Sequence, residues 1–429
     1  MSMNLSSNAP QSLAQKLIAR ACGRTSVQVG EVVMCQVDLA MFHDSSGARR
    51  LQPMLQELGA EIWDKNKVVH VIDHYVPEID DDARRIVRIA RDWAQAQQLP
   101  HHYDSEGICH VVLPQKGHVR PGMMCVGGDS HSCTGGAFGA YMFGIGSTEM
   151  LGVVVTGEIW LKVPQTLRMV WDGALTPGVV AKDMMLHMIG RFGMNGGAYQ
   201  ALEFAGEAVR KLGMAERMTL SNMSAEMGAQ VGLVAPDEVT TQWLRDVAGV
   251  QDNIDTQAWQ SDAGAEVDTH VFDASALTPM VAAPHSPANA HPVGDCVGQS
   301  LQAAYIGACT GAKLEDLRAA ASVLKGQRVA KGMRLMVAPA SQRDLKVAQQ
   351  EGLMEILQAA GAQVLGTSCG ACAGYGAAIE GAAHVISSTA RNFKGRMGSP
   401  ESGVFLASPY TVAASAIAGH IADPRAWLS

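Results

Sequence analysis

Short apolar runs of strand length alternate with amphipathic helical patterns along almost all of this 429-residue chain. Val32–Val37 and Val68–Ile72 are such runs. Asp81–Ala94 is charged, with Ile86, Ile89 and Trp93 forming one apolar stripe, so its period is that of a helix. The same reading gives a helix over residues 11–23 (Leu13, Leu17 and Ile18 on one face), strands at Cys109–Leu113 and Met123–Val126, and a helix at Ser147–Thr156. Alternation continues from Leu167 to Phe272. It then resumes with a strand at Leu301–Ile306, a helix at Leu314–Leu324, a strand at Arg334–Ala338, a helix at Gln342–Ala360 and a strand at Gln363–Leu365. A chain that alternates this way builds parallel sheets covered by helices, an α/β fold. At about 100–200 residues per domain, the length allows two to four domains. Leu277–Val293 holds four prolines and reads as an interdomain linker. It divides the chain into residues 1–283 and 284–429.

Composition narrows the classes of function. Net charge is −8, and the 33 basic residues form no block, so a nucleic-acid surface is not expected. No apolar run reaches the ~18 residues of a membrane span, and Met1–Pro10 lacks the apolar stretch of a secretory signal, so a cytoplasmic protein is expected. Nine cysteines, an odd count, argue against a disulfide framework.

Some of those cysteines are candidate ligands. Cys309 lies in IGACTG, and sixty positions later comes Cys369-Gly-Ala-Cys372 in GTSCGACAGYG. Each follows an apolar, strand-like stretch and has small neighbours, where an α/β sheet delivers functional loops. Three thiolates could hold a [4Fe–4S] cluster and leave one iron open to a substrate hydroxyl. Spacing alone also leaves zinc, a redox pair and a purely structural role open. Arg391 and Arg396, five apart in a Gly-containing loop after His384–Ile386, could clamp carboxylates, or could be a solvated basic turn. Asp73-His74 at a strand end and Asp129-Ser130-His131 before a glycine-rich turn are candidate acid–base pairs, although surface dipeptides look the same. GGAFGAYMFGIG lacks the spacing of a dinucleotide fingerprint. His43-Asp44 and Glu203 are polar residues beside apolar runs, with no meaning on their own.

Taken in order, these pieces resemble the aconitase superfamily, and most of all the large subunits of 3-isopropylmalate dehydratase and homoaconitase type. The resemblance rests on HDSSG at 43–47, DHYVP at 73–77, GDSHSCTGGAFGAYMFGIGSTE at 128–149, GGAYQALEF at 196–204, PHSPANAHPV at 284–293, IGACTG at 306–311, SCGAC at 368–372 and RNFKGRMGSPE at 391–401, with the tail LASPYTVAASAIAG. It implies three α/β domains of aconitase type around a central cluster cleft, without the mobile fourth (swivel) domain. It implies a hydro-lyase acting on a 2- or 3-hydroxy di- or tricarboxylic acid. Cys309, Cys369 and Cys372 would hold a [4Fe–4S] cluster with one open iron. Arg391 and Arg396, with Ser130, would bind substrate. His74 with Asp73, and His131 with Asp129, would lie around the leaving hydroxyl, and Glu203 would be the acid near the open iron. The base would come from a separate small subunit. A cluster-dependent sensor or RNA-binding protein and a cluster-free scaffold are the competing classes. The chain departs from the family pattern at Gly311 and Ala390, where asparagine is usual, so altered substrate contacts are expected, as for a dehydratase of 2,3-dimethylmalate or 2-methylmalate.

Overall fold

The computed structural model describes residues 9–428 except Ala377 and Ala378. Among the described residues, three larger sheets carry the chain, beside a two-stranded antiparallel sheet of Val32–Gln36 and Glu158–Lys162. The first is fully parallel, in the order His101–Asp104, Val68–Ile72, Leu39–His43, Met124–Gly127, Tyr141–Gly144. The second is parallel too: Val231–Val234, Ala201–Ala205, Thr166–Asp172, Asp268–Asp273. The third has seven strands: Ala290–Pro292, Met280–Ala282, Gly403–Ala407, His384–Ser387, Ala303–Ile306, Arg334–Val337 and Gln363–Val364, with Met280–Ala282 antiparallel to both neighbours. Central strands such as Leu39–His43 and Val68–Ile72 are buried along their whole length, which is why they read as apolar runs rather than as alternating patterns.

The helices at Ser147–Thr156 and Leu314–Leu324 form where the periodicity predicts them. Three local expectations fail. Cys109–Leu113 is part of a helix, Cys109–Gln115, not a strand. A five-residue apolar run has no period to read. The first turn is fixed from outside, by the Asp73 carboxylate accepting the Cys109 N–H at 2.8 Å. The expected single helix over Gln342–Ala360 breaks into Gln342–Gln350 and Leu353–Ala360, because Gly352 takes a left-handed conformation at φ 72°. Leu277–Val293 is not an open linker: it supplies Met280–Ala282 and Ala290–Pro292 to the third sheet. That sheet therefore begins four residues before position 284.

The glycine-rich stretch does mechanical work. Its 3-10 turn, Ser130–Phe138, lies so close to the second sheet that a Cβ on Gly136 would fall 1.9 Å from the Gly232 carbonyl oxygen. Among the described residues, no helix is long and apolar enough to cross a membrane.

Candidate active site

The strand ends converge on one cleft of about 400 Å³. Asp44, Asp73 and Asp129 follow the first sheet's strands at their C-terminal ends. Cys309, Cys369 and Arg391 follow strands of the third sheet in the same sense. Parallel sheets deliver ligand-binding loops at this end.

One wall is a lattice of carboxylates and imidazoles. His74 Nδ1 donates to Asp73 Oδ1 at 2.7 Å. The carboxylate of Asp44, fully buried, accepts the N–H groups of His74 (3.1 Å) and Tyr75 (2.7 Å) and so fixes that turn. His43 stacks on His74 with ring centroids 3.9 Å apart. His110 Nε2 lies 2.8 Å from Asp129 Oδ1, which also accepts the His131 N–H at 2.7 Å. Burial alone would lower the His74 imidazole, but the charge and hydrogen bond of Asp73 push it up to about 10. Burial opposes ionisation of Asp73, yet His74 holds it down to about 2. Burial pulls the His110 imidazole below its usual range despite Asp129.

The other wall carries sulfur and arginine. Cys309, Cys369 and Cys372 all line the cleft, and among the described residues all nine cysteines are free. Ala308, just before the first of them, is held at φ 69°, a strained conformation for alanine. Asn222 Nδ2 donates to Cys309 Sγ at 3.1 Å and to Thr134 Oγ1 at 2.8 Å. The Cys369 N–H donates to the Asp73 carbonyl at 2.9 Å, tying the two walls together. The Cys372 thiol is pulled down to about 5, first by its hydrogen bond with Cys369 and, against burial, by Arg396. Arg391 and Arg396 line the cleft as well.

Not every expected residue is in the cleft. Glu203 does not line it. On its strand Glu203 stands in register with Arg168, whose Nε donates to it at 3.1 Å, while Ser261 Oγ donates at 2.7 Å. The glutamate that reaches the cleft's lining residues is Glu226. Its fully buried carboxylate accepts from His131 Nε2 at 2.9 Å and from Arg391 Nε at 2.7 Å. The His131 ring is therefore hydrogen-bonded to Glu226, while Asp129 takes the His131 backbone N–H and stands 3.7 Å from the ring. The Asp129 dyad partner is His110. Ser130 is exposed outside the cleft lining. Ala390 lines the cleft, as expected. Gly311 does not: a Cβ there would fall 2.2 Å from Ser388 Oγ, so only glycine fits the turn. A signal for Glu226 was present, since it is the only charged residue between Arg217 and Asp237, in a run of small and apolar residues. His110 was hidden inside the run misread as a strand.

Comparison with known proteins matches residues 15–419 to a family model described as the aconitase family (aconitate hydratase). The large subunit 1 of 3-isopropylmalate dehydratase from Methanopyrus kandleri is 43% identical over 423 residues, covering 97% of this chain and 100% of that protein. The 3-isopropylmalate dehydratase large subunit of Hydrogenobaculum sp. is 40% identical, covering 96% of this chain and 97% of that protein. A probable methanogen homoaconitase large subunit from Methanosarcina mazei is 42% identical, covering 92% of this chain and 100% of that protein.

Proposed function

This chain belongs to the aconitase family, and from that premise we propose that it is the large subunit of an iron–sulfur hydro-lyase in which Cys309, Cys369 and Cys372 hold a [4Fe–4S] cluster. The observation that carries this reading is the meeting of three free thiols, two carboxylate–imidazole dyads and two arginines in one cleft. The residues suit such a group. Beside the thiols, Tyr305 Oη and Arg396 Nε are buried donors with no partner among the described residues, and a cluster's sulfides are acceptors. Asn222 already donates to Cys309 Sγ, as a donor to a cluster ligand would.

Once bound, such a cluster supplies a Lewis-acid iron for a substrate hydroxyl. The protein's own groups do the rest. Arg391 and Arg396 bind carboxylates. The Nε of Arg391 is taken by Glu226, which leaves the outer edge of its guanidinium for the substrate. His74 holds a proton on the ring nitrogen away from Asp73 and passes it to the departing hydroxide, giving water. In the reverse direction it takes that proton back from water. The proton on the adjacent carbon is removed by a base on a separate small subunit, a reading supported by the large-subunit names of the relatives. Two arginines suit two carboxylates, and Ala390 puts a methyl group on the wall where a polar amide is usual in the family. This supports an alkyl-substituted malate as substrate.

The test is anaerobic reconstitution followed by iron and sulfide analysis, then hydration assays with the small subunit. Iron and sulfide near about four per chain are expected, with alkyl-substituted maleates hydrated faster than tricarboxylic analogues. A chain that takes up neither iron nor sulfide and hydrates no such acid would overturn the proposal.

A further inference from the structure

Two lysines lie buried behind the cysteine-bearing wall, outside the cleft lining. Lys182 is 1% exposed and Lys313 2% exposed. They are anchored differently. The ammonium of Lys313 has a carboxylate partner, Asp316 at 2.8 Å, and donates to the carbonyl of Cys309 at 2.9 Å and to Thr219 Oγ1 at 3.1 Å. It is a neutralised clamp on one loop. Lys182 stands on the first turn of the helix Ala181–Phe192, beside the second sheet, and reaches into loops of the third. Its ammonium donates to the carbonyls of Ser388 and Thr389, both at 2.7 Å, and lies 3.4 Å from Thr310 Oγ1. None of these acceptors carries a charge.

The three acceptors belong to two functional loops. Thr310 follows Cys309 directly. Ser388 and Thr389 lead directly into Ala390 and Arg391. The same Ser388 carbonyl accepts from Thr310 Oγ1 at 2.9 Å, so lysine and threonine close one small network between the loops. Burial pulls the Lys182 ammonium down to about 8, opposed by Asp316 and Cys309 among others, which leaves it protonated at neutral pH. A buried cation without a carboxylate partner calls for a compensating anion nearby. The anions acting on it are the Asp316 carboxylate, already bonded to Lys313, and then the Cys309 thiolate and the Glu226 carboxylate that holds Arg391.

We propose that Lys182 is a positioning residue for the hydro-lyase reaction: it locks the Arg391 loop against the Cys309 loop and lends its positive charge to the anionic site in front of them. This rests on the reading of the cleft as a cluster-holding active site. Lys313, paired with Asp316, holds the Cys309 loop through the Cys309 carbonyl and bears on its thiol directly.

The variant Lys182→Met, prepared in the full chain and reconstituted with iron and sulfide, separates the possibilities. It is expected to fold and to keep wild-type iron and sulfide content. The midpoint potential of its cluster shifts to more negative values, because loss of a positive charge disfavours the reduced form. With the small subunit present, KM rises about tenfold while kcat falls less, as expected when carboxylate binding loosens. Lys346→Met, at an exposed position, leaves all of these unchanged. A folded Lys182→Met protein with wild-type potential and KM overturns the proposal. If Lys182→Met does not fold, Lys182→Arg decides: it keeps the charge but relocates it, so it should restore the potential and not the KM, and wild-type KM in that variant overturns the positioning role. If the wild-type chain binds no cluster, the functional reading has failed instead.

Discussion

The two walls of the cleft are built on different terms. On the wall from the first sheet, acids and imidazoles already have protein partners: Asp73 with His74 and Asp129 with His110, backed by Asp44 on three backbone N–H groups. On the wall from the third sheet, sulfur atoms and a guanidinium edge face the cleft, and Arg396 Nε has no partner among the described residues. Folding alone assembles the proton-handling wall. The ligand-holding wall has donors and thiols whose natural partners are a cluster and a carboxylate. Glu226 joins the two, bonded to His131 from one side and Arg391 from the other.

The largest expected effect comes from striking the sulfur wall. Cys372→Ser should cut the activity of the reconstituted complex more than about a hundredfold, with iron content falling in parallel. The apo chain's melting temperature should barely change, since the other wall does not depend on that thiol. Activity that survives the substitution would mean that the sulfur wall is scaffolding.

Next comes Asp73→Asn, which strikes the proton wall. His74 acts in its protonated form, so activity falls on the alkaline side as pH passes its pKa. In the native protein that limb lies near pH 10. Without the Asp73 charge and hydrogen bond, burial is opposed only by Asp44 and Asp129, and the limb should move to markedly lower pH. At neutral pH this is a loss on the order of 10²–10⁴-fold in kcat/KM. Stability follows by linkage. The raised His74 contributes stability that is full below pH 6.5 and lost as pH rises towards 10. The lowered Asp73 contributes stability that is full above pH 3.8 and lost as pH falls towards 2. The melting temperatures of variant and native protein should therefore differ most between about pH 4 and 6.5. A pH-independent gap would break the comparison, because the pair would not then be ionic.

The walls also differ in how much of them could be read from sequence. The sulfur wall was legible because its chemistry sits in short motifs: Cys309, Cys369, Cys372, Arg391 and Arg396 all line the cleft. The proton wall was legible only in part. Asp73 and His74 pair as neighbours, but the other partnerships cross longer stretches of chain: Asp129 accepts the His131 backbone N–H, yet the Asp129 carboxylate meets the His110 ring and the His131 ring meets Glu226. Glu203 and Glu226 show the same limit. Both are buried acids, and only the tertiary structure reveals that one is paired with Arg168 across neighbouring strands while the other, in a turn, is bonded to His131 and Arg391 of the cleft lining. In the fold, long periodic helices and apolar strands were readable. The misread Cys109–Gln115 helix was decided by Asp73, thirty-six residues away.

A smaller effect is expected at Arg396, which tests whether the ligand wall binds substrate as well as the cluster. Lysine keeps the charge but not the two-pronged geometry that grips a carboxylate. Arg396→Lys should raise KM about ten- to a hundredfold and change kcat less. Cluster content, read as iron and sulfide per chain, should stay at the native level. A loss of iron with KM unchanged would reassign Arg396 to the cluster.

The smallest catalytic effect belongs to Glu203, and the contrast with Glu226 makes it informative. Glu203 sits outside both walls, in a largely buried pair with Arg168 and bonded to Ser261. Glu203→Gln keeps the shape and an acceptor for Ser261 but removes the charge opposite Arg168, whose Nη2 is already buried without a hydrogen bond among the described residues. The cost should appear in folding, at about 1–3 kcal/mol, as when a buried polar group loses its partner, measured by urea unfolding. Activity at a temperature where both proteins are folded should stay within about twofold, with an unchanged pH profile, because among the described residues the side-chain partners of Glu203, Arg168 and Ser261, lie outside the cleft lining. Glu226→Gln should do the reverse. It removes the charge shared by His131 and Arg391, so kcat/KM should fall far more than stability does. If Glu203→Gln lost activity while its unfolding curve stayed native, the acid of this site would have been assigned to the wrong residue. The division into two walls joined by Glu226 would then have to be redrawn.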